Sequence, residues 1–236
     1  MDVAGKVTVI TGASAGIGRA TALRFAQEGA KLVLAARSVD KLTVLASGLH
    51  AKGCETFVIP TDVRDKTAVS ALIERANAHF GRIDILINNA GQSAAGTVAE
   101  VNPDHFKAIF VLNVMGPLWA MQAVVHKMRS KGGGLIININ SMVTKMHIPG
   151  LAAYAATKCA LAMLSDTARD ELAPDNIRVI SVYPRMTATD FGKNALGDQH
   201  LRMQQRGHAP VIDTPEFVAQ KILEAAQKEP PEQYMA

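Results

Sequence analysis

The stretch T-G-A-S-A-G-I-G at residues 11–18 decides the fold class of this chain, because of what stands on either side of it. The apolar, β-branched run Val7–Ile10 precedes it, and the helical pattern of Arg19–Glu28 follows it. A glycine-rich turn between a first strand and a helix is the setting in which α/β sheets bind dinucleotides. Glycines let the backbone approach a pyrophosphate, whose charge then meets free N–H groups and the positive end of the helix. The spacing is G-x-x-x-G-x-G, and a glycine turn without a ligand is the alternative.

Short β-branched runs alternate with segments of helical length along the chain, which is typical of βαβ units. Runs such as Ile83–Ile87 are apolar without alternation, which indicates strands buried on both faces of a parallel sheet. We therefore predict the α/β class: a Rossmann-like, doubly wound parallel sheet with helices on both faces. The predicted strands are Val7–Ile10, Lys31–Ala35, Thr56–Ile59, Ile83–Ile87, Leu135–Ile139 and Val179–Val182.

The chain shows no internal repeat, low-complexity tract or linker, so residues 1–228 are predicted to form a single domain. Within it, Asn102-Pro103 begins a long helix that extends to about Arg129. A final helix is predicted over Pro215–Lys228, and residues 229–236 are expected to form a short C-terminal tail.

Composition excludes several classes of protein. The 236 residues are 48% hydrophobic, which is ample for a packed core, and the net charge of +4 is spread along the chain, which argues against nucleic-acid binding. Cys54 and Cys159 lie far apart without C-x-x-C spacing, so we expect neither a disulfide nor a metal site, and a reducing cytoplasm fits best. The first apolar run follows Met1 too closely for an export signal, and no apolar run approaches the roughly 20 residues that span a bilayer. We expect a soluble, cytoplasmic protein without membrane insertion.

Five further motifs follow the glycine turn in a fixed order, and with them the chain resembles the short-chain dehydrogenase/reductase family over nearly its whole length. They are Asp62-Val63, Asn88-Asn89-Ala90-Gly91, Asn113, Ser141 and Tyr154-Ala155-Ala156-Thr157-Lys158. The resemblance implies an oxidoreductase that interconverts a carbonyl and an alcohol with a nicotinamide dinucleotide.

The same resemblance implies the cofactor contacts, among which Asp62 meets the adenine amino group. For the strand-end motifs the alternative is an ordinary turn, since Asn and Gly are common there. The implied cofactor-binding residues are Gly12, Ser14, Ala15, Gly16, Ile17, Gly18, Arg37, Ser38, Asp62, Val63, Asn89, Ala90, Gly91, Tyr154, Lys158, Pro184, Thr187 and Thr189.

The end of the second strand indicates NADP(H). Relatives that use NAD place an acidic residue where this chain has Ala36, and a carboxylate there would repel a 2′-phosphate. The guanidinium of Arg37 can instead grip that phosphate bidentately, and Ser38 can add a hydroxyl. Alternatively, Arg37 is a solvated arginine and Ser38 only an N-cap. Some NADP-type relatives also carry a basic residue where this chain has Ala15.

Tyr154 and Lys158 stand four residues apart in a predicted helix and therefore share one face. A free tyrosine has a pKa of about 10. An ammonium about 4 Å away, at an effective dielectric of about 20, contributes about 4 kcal/mol, which brings a phenol toward a useful range. By resemblance, Lys158 also binds the nicotinamide ribose, Ser141 bonds the substrate oxygen, and Asn113 holds a water that links Lys158 to solvent. Each of the four residues, taken alone, has an ordinary structural explanation.

The chain departs from the family pattern in two places. Relatives usually have Pro-Gly after the sixth strand, where this chain has Pro184-Arg185. If the backbone there requires glycine, Arg185 shifts the loop; alternatively, Arg185 reaches an anionic substrate group or the cofactor phosphates. No apolar run corresponds to the family's seventh strand, whose edge often contributes to a tetramer. We expect a homodimer or homotetramer through the helices around Phe106–Arg129 and Leu151–Ala173, although their apolar residues could equally be core.

The predicted pocket walls are Ser93–Gly96, Met142–Leu151 and the segment from Met186 to about Arg206. They are mostly small or apolar, which favours a hydrophobic ketone, aldehyde or 3-oxoacyl substrate. A basic cluster on the site side, formed by Lys127, Arg129 and Lys131, would suit an acidic carrier, but a solvated helix end explains it equally well. The alternative functions are a nucleotide-binding regulatory protein of the same fold and an extended-branch epimerase or dehydratase, which would need a longer C-terminal part.

Overall fold

The structure, a computed structural model, describes residues 1–197 and 211–235. In this part of the chain, seven strands form one parallel sheet in the order β3-β2-β1-β4-β5-β6-β7. The strands are β1 (Val7–Thr11), β2 (Lys31–Ala36), β3 (Thr56–Pro60), β4 (Ile85–Asn88), β5 (Gly134–Ile139), β6 (Ile177–Tyr183) and β7 (Glu232–Tyr234). The helices are α1 (Gly16–Gln27), α2 (Val39–His50), α3 (Lys66–Phe80), α4 (Pro103–Phe110), α5 (Gly116–Arg129), α6 (Ala152–Leu172) and α7 (Pro215–Lys228). The predicted Rossmann-like single domain is confirmed.

Helices cover both faces of the sheet, as the apolar runs predicted. One buried cluster joins the sheet to α1, α2 and α7, and a second joins it to α3, α5 and α6. Successive residues of a strand point to opposite faces, so Leu32 and Val33 belong to different clusters, as do Ile136 and Ile137. Both faces of these strands are buried against helices, which is why their sequences lack alternation.

The sheet has a seventh strand although no apolar run in the sequence corresponds to one. Part of the predicted tail forms β7 beside β6, with Tyr183 opposite Tyr234 in the register. The two tyrosine rings stack with centroids 4.8 Å apart, and both hydroxyls donate to the Glu232 carboxylate, at 2.9 and 2.8 Å. The backbone oxygen of Pro231 accepts from Ser181 at 3.1 Å, which begins the pairing. Because β7 is a polar, half-buried edge strand, it shows no apolar run in the sequence.

The predicted long helix begins at Pro103, after an Asn102 side chain that accepts from the Asp104 N–H at 2.8 Å. It continues to Arg129 but changes geometry in its middle, where Val111–Met115 form a π-helical turn between α4 and α5. Among the described residues, this stretch of 27 residues alone is long and apolar enough to cross a membrane by length and composition. Half of its most apolar window is buried inside the fold, which is consistent with a core helix of a soluble protein.

Candidate active site

The predicted motifs converge because all the strands are parallel and end at the same edge of the sheet. The strand order also reverses beside β1, whose neighbours are β2 and β4, and ligands of such sheets bind in the crevice at this reversal. The residues that follow the strand ends there are the glycine-rich turn after β1, Arg37 after β2, Asp62 after β3, Asn89–Gly91 after β4, Ser141 after β5 and Pro184 after β6.

The glycine-rich turn has a conformation and a packing that side chains would not allow. Gly12 has a φ of +68°, and a Cβ at this position would lie 2.8 Å from Asn89 Nδ2. A Cβ on Gly18 would collide with the carbonyl oxygen of Gly12. α1 begins at Gly16 without a side-chain cap and without an acidic residue in its first turn. Its free N–H groups and positive helix end therefore fit the pyrophosphate of a dinucleotide.

Thr11 and Asn89 hold this turn to the end of β4. The Asn89 amide donates to the carbonyl oxygens of Thr11 and Gly12, at 2.9 and 3.3 Å. The Thr11 hydroxyl accepts from the N–H groups of Asn89 and Ala90, at 3.0 and 3.1 Å. Sequence reasoning assigned Asn89 to the lining of the cofactor and gave Thr11 no role. The structure shows that Asn89 fixes the turn together with Thr11, and the Thr at the start of the motif was the sequence signal for this contact.

Arg37 and Ser38 are exposed at the end of β2, and Ala36 is buried. Their neighbour Asp62 accepts from the Arg64 guanidinium, with Arg64 Nη2 2.6 Å from Asp62 Oδ2. The hydrogen bonds from Arg64 lower the pKa of the Asp62 carboxyl, and the charge of Arg37 adds to this effect. Two guanidinium groups thus lie around one carboxylate, which leaves this end of the crevice cationic. Arg64 was missed by sequence reasoning, although it stands only two residues after Asp62.

Tyr154 and Lys158 lie on the buried face of α6, as their spacing predicted. Lys158 is 4% exposed, and its Nζ donates to the carbonyl oxygen of Ile139 at 2.8 Å and lies 6.0 Å from the centroid of the Tyr154 ring. Burial lowers the pKa of Lys158 to about 8. The ammonium is therefore held between the end of β5 and the tyrosine, where little water screens its charge.

Ser141 lies two residues after the end of β5 and caps a short 3-10 turn, Met142–Lys145. Its Oγ accepts from the Val143 N–H at 3.2 Å, and its own N–H donates to Asn140 Oδ1 at 3.1 Å. The backbone of Ser141 is thus fixed on both sides. A hydroxyl that accepts from the backbone still has its proton to donate to a substrate oxygen.

Asn113 lies in the π-helical turn and is fully buried. Its Nδ2 donates to Gln92 O at 2.8 Å and to Thr157 Oγ1 at 3.0 Å, and its Oδ1 accepts from Gln92 N at 3.0 Å. Thr157 in turn donates to the Tyr154 carbonyl oxygen at 2.8 Å. Asn113 therefore joins the loop after β4 to the helix that carries Tyr154. π-Turns of this kind are frequent at functional sites, and sequence reasoning missed both partners of Asn113.

The loop after β6 accommodates Arg185 without a glycine-like backbone. Its backbone is not left-handed, since Asn176 and Glu229 are the non-glycine residues with positive φ among those described. Its guanidinium forms a two-bond ion pair with Asp213, at 3.0 and 2.8 Å. Arg185 is thus accommodated without glycine-like strain. Thr189 packs against the glycine turn, with a methyl carbon 3.1 Å from where a Cβ on Gly16 would lie.

The predicted pocket walls meet around Tyr154. The ring of Phe191 lies 5.7 Å from the Tyr154 ring, and a small apolar cluster joins Tyr154 to Val143, Ile148 and Leu151. Ser93–Gly96 pair with the segment around Leu196 through backbone hydrogen bonds of 2.8 and 2.9 Å. The remainder of the third predicted wall, residues 198–206, lies outside the described residues. Apolar side chains therefore border the tyrosine.

The basic cluster is not on the site side of the sheet, so that expectation is wrong. α5 ends where the chain turns back into β5, and thus at the amino ends of the strands. Lys127 pairs there with Glu74 at 2.9 Å, and Arg129 pairs with Asp175 at 2.6 Å. This cluster cannot guide an acidic carrier to Tyr154.

Comparison with known sequences and structures agrees with this geometry. Residues 6–200 match the model of the family described as short chain dehydrogenase. The chain belongs to the short-chain dehydrogenase family. An uncharacterized oxidoreductase of Methylorubrum extorquens is 39% identical to it over 187 residues, which cover 79% of this chain and 75% of that protein.

Solved structures place this short-chain dehydrogenase among nucleotide-binding oxidoreductases. A family member from Burkholderia phymatum in complex with NAD covers 100% of this chain, with a TM-score of 0.88 and 26% identity, and this chain covers 90% of it. L-Sorbose reductase from Gluconobacter frateurii, complexed with NADPH and L-sorbose, covers 95% of this chain with a TM-score of 0.84 and 35% identity, and 91% of it is covered in return. The short-chain dehydrogenase described here is therefore an oxidoreductase with a Rossmann-like nucleotide-binding fold.

Proposed function

We propose that this short-chain dehydrogenase interconverts a carbonyl and an alcohol by NADP(H)-dependent hydride transfer, with Tyr154 as general acid and base. The observation that carries this proposal is that Asn113, Ser141 and Tyr154 lie at the same edge of the sheet as the buried ammonium of Lys158. Lys158 is 4% exposed and lies 6.0 Å from the Tyr154 ring centroid. These residues come from the π-helical turn, the end of β5 and α6, and they lie at the edge of the sheet where such folds bind ligands.

Carbonyl reduction builds negative charge on the substrate oxygen, which requires a proton donor and fixed dipoles around it. Tyr154 supplies the proton, and the nearby Lys158 ammonium stabilises the phenolate that remains. Ser141 donates its hydroxyl proton to the substrate oxygen from a backbone that is fixed at Asn140 and Val143. In the direction of alcohol oxidation, the same groups act in reverse.

The residues of the crevice fit a nicotinamide dinucleotide, which when bound supplies or accepts the hydride. The glycine turn and the N-terminus of α1 would hold the pyrophosphate, and Asp62, Val63 and residues 89–91 would border the adenosine. Pro184, Thr187 and Thr189 would border the cofactor from the loop after β6, and Lys158 would hold the nicotinamide ribose. The preference for NADP(H) is supported by exposed Arg37 and Ser38 and by the absence of a carboxylate at Ala36. The NADPH bound by L-sorbose reductase agrees with this preference, whereas the Burkholderia protein holds NAD.

The apolar surroundings of Tyr154, including Phe191 and Ile148, support a hydrophobic ketone, aldehyde or 3-oxoacyl compound as substrate. We further propose a cytoplasmic location, which suits the free thiols of Cys54 and Cys159. We also propose a homodimer or homotetramer that forms through the long helices. The outer faces of α5 and α6, which are half-exposed in the single chain, support this assembly.

The test is a screen of NADPH and NADH oxidation with ketones, aldehydes, quinones and acyl thioesters, alongside direct titration of both dinucleotides. We expect NADPH to bind more tightly than NADH and at least one carbonyl class to turn over. The second candidate function, a regulatory protein that binds the nucleotide without turnover, predicts tight NADPH binding with no oxidation by any compound of the panel. Failure to bind either dinucleotide would exclude both functions.

A further inference from the structure

The ion pair of Arg185 and Asp213 has no part in the function proposed above. Its two hydrogen bonds, from Nε and Nη2 of Arg185 to the two carboxylate oxygens of Asp213, measure 3.0 and 2.8 Å. The Asp213 side chain is 6% exposed, whereas that of Arg185 is 36% exposed. A buried carboxylate needs a charged partner, so Asp213 ties the arginine to the interior of the fold.

The backbone of Asp213 holds the residues that follow Arg185. Its N–H donates to the carbonyl oxygen of Met186 at 2.8 Å, and its own carbonyl oxygen accepts from the N–H of Ala188 at 2.9 Å. Thr187 and Asp213 form a parallel bridge between these bonds. Asp213 thus binds the side chain of Arg185 and the main chain of Met186 and Ala188, so it ties the segment 186–188 to the residue that precedes the cap of α7.

This segment lies between the two halves of the candidate site. On one side, Thr189 follows it and packs against Gly16 of the glycine turn, and its N–H donates to the Thr187 carbonyl oxygen at 2.8 Å. On the other side, the carbonyl oxygen of Pro184 accepts from the Met142 N–H at 3.0 Å, one residue after Ser141. Asp213 itself directly precedes the cap of α7, a helix that packs along α1. The ion pair therefore connects the loop to the element that carries the glycine turn.

We propose that Arg185 and Asp213 are a positioning pair for nucleotide binding: they fix residues 186–189 against the glycine-rich turn. Loss of the pair then weakens binding of the dinucleotide much more than it slows the reaction at saturating dinucleotide. This inference rests on the proposed function, because it takes Gly16 and Thr189 to border the nucleotide. The proton-transfer groups have separate anchors in Ile139 and Gln92, which is why the saturated rate is spared.

The test compares Asp213→Asn and Arg185→Gln with Asp175→Asn. Each of the first two removes one charge of the pair, and both variants are compared as folded protein. Asp175→Asn breaks another arginine–aspartate pair, that of Arg129 and Asp175, which is 2.6 Å long, more exposed, and located at the amino ends of the strands, away from the site. We expect the first two variants to raise the Kd for NADPH by about tenfold and to keep the saturated kcat within about twofold. Hydrogen exchange at the Ala188 amide should accelerate in both, and Asp175→Asn should leave every quantity at its wild-type value.

The measurements separate the two proposals. Wild-type NADPH affinity and Ala188 exchange in folded Asp213→Asn would overturn the positioning role, and so would a fall in saturated kcat larger than the change in Kd. An equal loss of affinity in Asp175→Asn would show a general loss of stability instead. If the wild-type protein binds no dinucleotide, the proposed function and the effect on affinity both fail, while Ala188 exchange still decides whether the pair holds the segment.

Discussion

The two halves of the candidate site depend on different kinds of interaction. The half proposed to bind the dinucleotide, called the dinucleotide half, comprises residues 11–38 and 62–64 and offers backbone N–H groups, a helix end and exposed arginines such as Arg37. The half proposed for proton transfer, called the proton-transfer half, consists of buried side chains, with Asn113 and Thr157 fully enclosed and Lys158 4% exposed. Exposed charges act through screened, long-range forces, whereas each buried polar group depends on one or two specific partners. Substitutions in the dinucleotide half should therefore change its affinity gradually, whereas substitutions in the proton-transfer half should abolish its activity.

The largest effect that this comparison predicts is the loss of turnover in Tyr154→Phe. The change removes the proton donor, while the phenyl ring keeps its packing against Phe191. We expect kcat to fall by about 10³-fold to 10⁴-fold, in line with the upper range for general acid–base catalysis, and the Kd for NADPH to stay within about twofold. Stopped-flow measurement of NADPH oxidation with an accepted carbonyl substrate checks this. A variant with more than a tenth of wild-type turnover would remove Tyr154 from the mechanism.

A second prediction concerns the backbone of the dinucleotide half, through Gly18→Ala. The new Cβ would collide with the Gly12 carbonyl oxygen, which is backbone and cannot turn away. We expect NADPH binding to weaken by about 100-fold and the melting temperature to fall by several degrees. The matched control is Gly48→Ala in α2, where a Cβ meets nothing within 4 Å. That variant should gain about 0.5–1 kcal/mol of stability and bind NADPH normally.

Equal behaviour of the two glycine variants in thermal melts and nucleotide titration would contradict the tight turn. The dinucleotide half would then tolerate side chains at its narrowest point, and the contrast with the buried half would lose its structural basis.

The fold was largely predictable from the sequence, because buried parallel strands produce apolar runs and because helix ends are marked by capping residues such as Asn102. The polar strand Glu232–Tyr234 was not predicted, because it is stabilised by pairing with β6 and by the tyrosine stack and not by apolar burial. The wrong side assigned to Lys127 and Arg129 was avoidable. A helix that connects two parallel strands must end at the amino edge of the second strand, away from the site.

For the candidate site, the sequence predicted the residues of the short motifs but not the hydrogen-bond partners of those residues. The residues of the motifs do meet at one edge, but their partners lie far away in the chain: Thr157 is 44 residues from Asn113, and Asp213 is 28 residues from Arg185. The π-turn at Val111–Met115 has the same apolar composition as an ordinary helix and therefore left no signal. Long-range hydrogen bonds depend on tertiary packing, which local residue patterns do not contain.

Lys158 allows a third prediction, about stability against pH in the nucleotide-free protein. Burial lowers its pKa from 10.5 to about 8, so the unfolded chain binds more protons than the folded one between these two values. The free energy of unfolding should therefore rise with pH from about 8 to about 10.5, relative to Lys158→Met, by about 3 kcal/mol. Below pH 8 the cost of the buried charge is present in full, and the difference between the two proteins should be constant.

Urea titrations of wild-type and Lys158→Met protein at several pH values measure this difference. Exposed Lys131 offers the control, because Lys131→Met should follow the wild-type curve throughout. A flat difference between wild type and Lys158→Met across pH 8–10.5 would mean that the ammonium is well hydrated, and the contrast in burial between the two halves would disappear.

The smallest expected effect belongs to Arg37→Ala, and it tests whether the dinucleotide half acts through exposed charge. Arg37 is exposed beside the carboxylate of Asp62, which Arg64 already engages, so its guanidinium remains the group best placed for a 2′-phosphate. We expect the Kd for NADPH to rise by about tenfold and the Kd for NADH to stay unchanged, because NADH lacks that phosphate. Raising the salt concentration should reduce the wild-type preference for NADPH, since exposed charges are screened, and should have little effect on the variant.

Lys41→Ala, one turn further along the surface of α2, is the control for a general loss of positive charge. If Lys41→Ala weakens NADPH binding as much as Arg37→Ala does, the preference for NADPH comes from the overall positive field of this surface. If Arg37→Ala weakens NADH binding as much as NADPH binding, the guanidinium contacts a part that the two dinucleotides share. The assignment of NADP(H) then loses its main support.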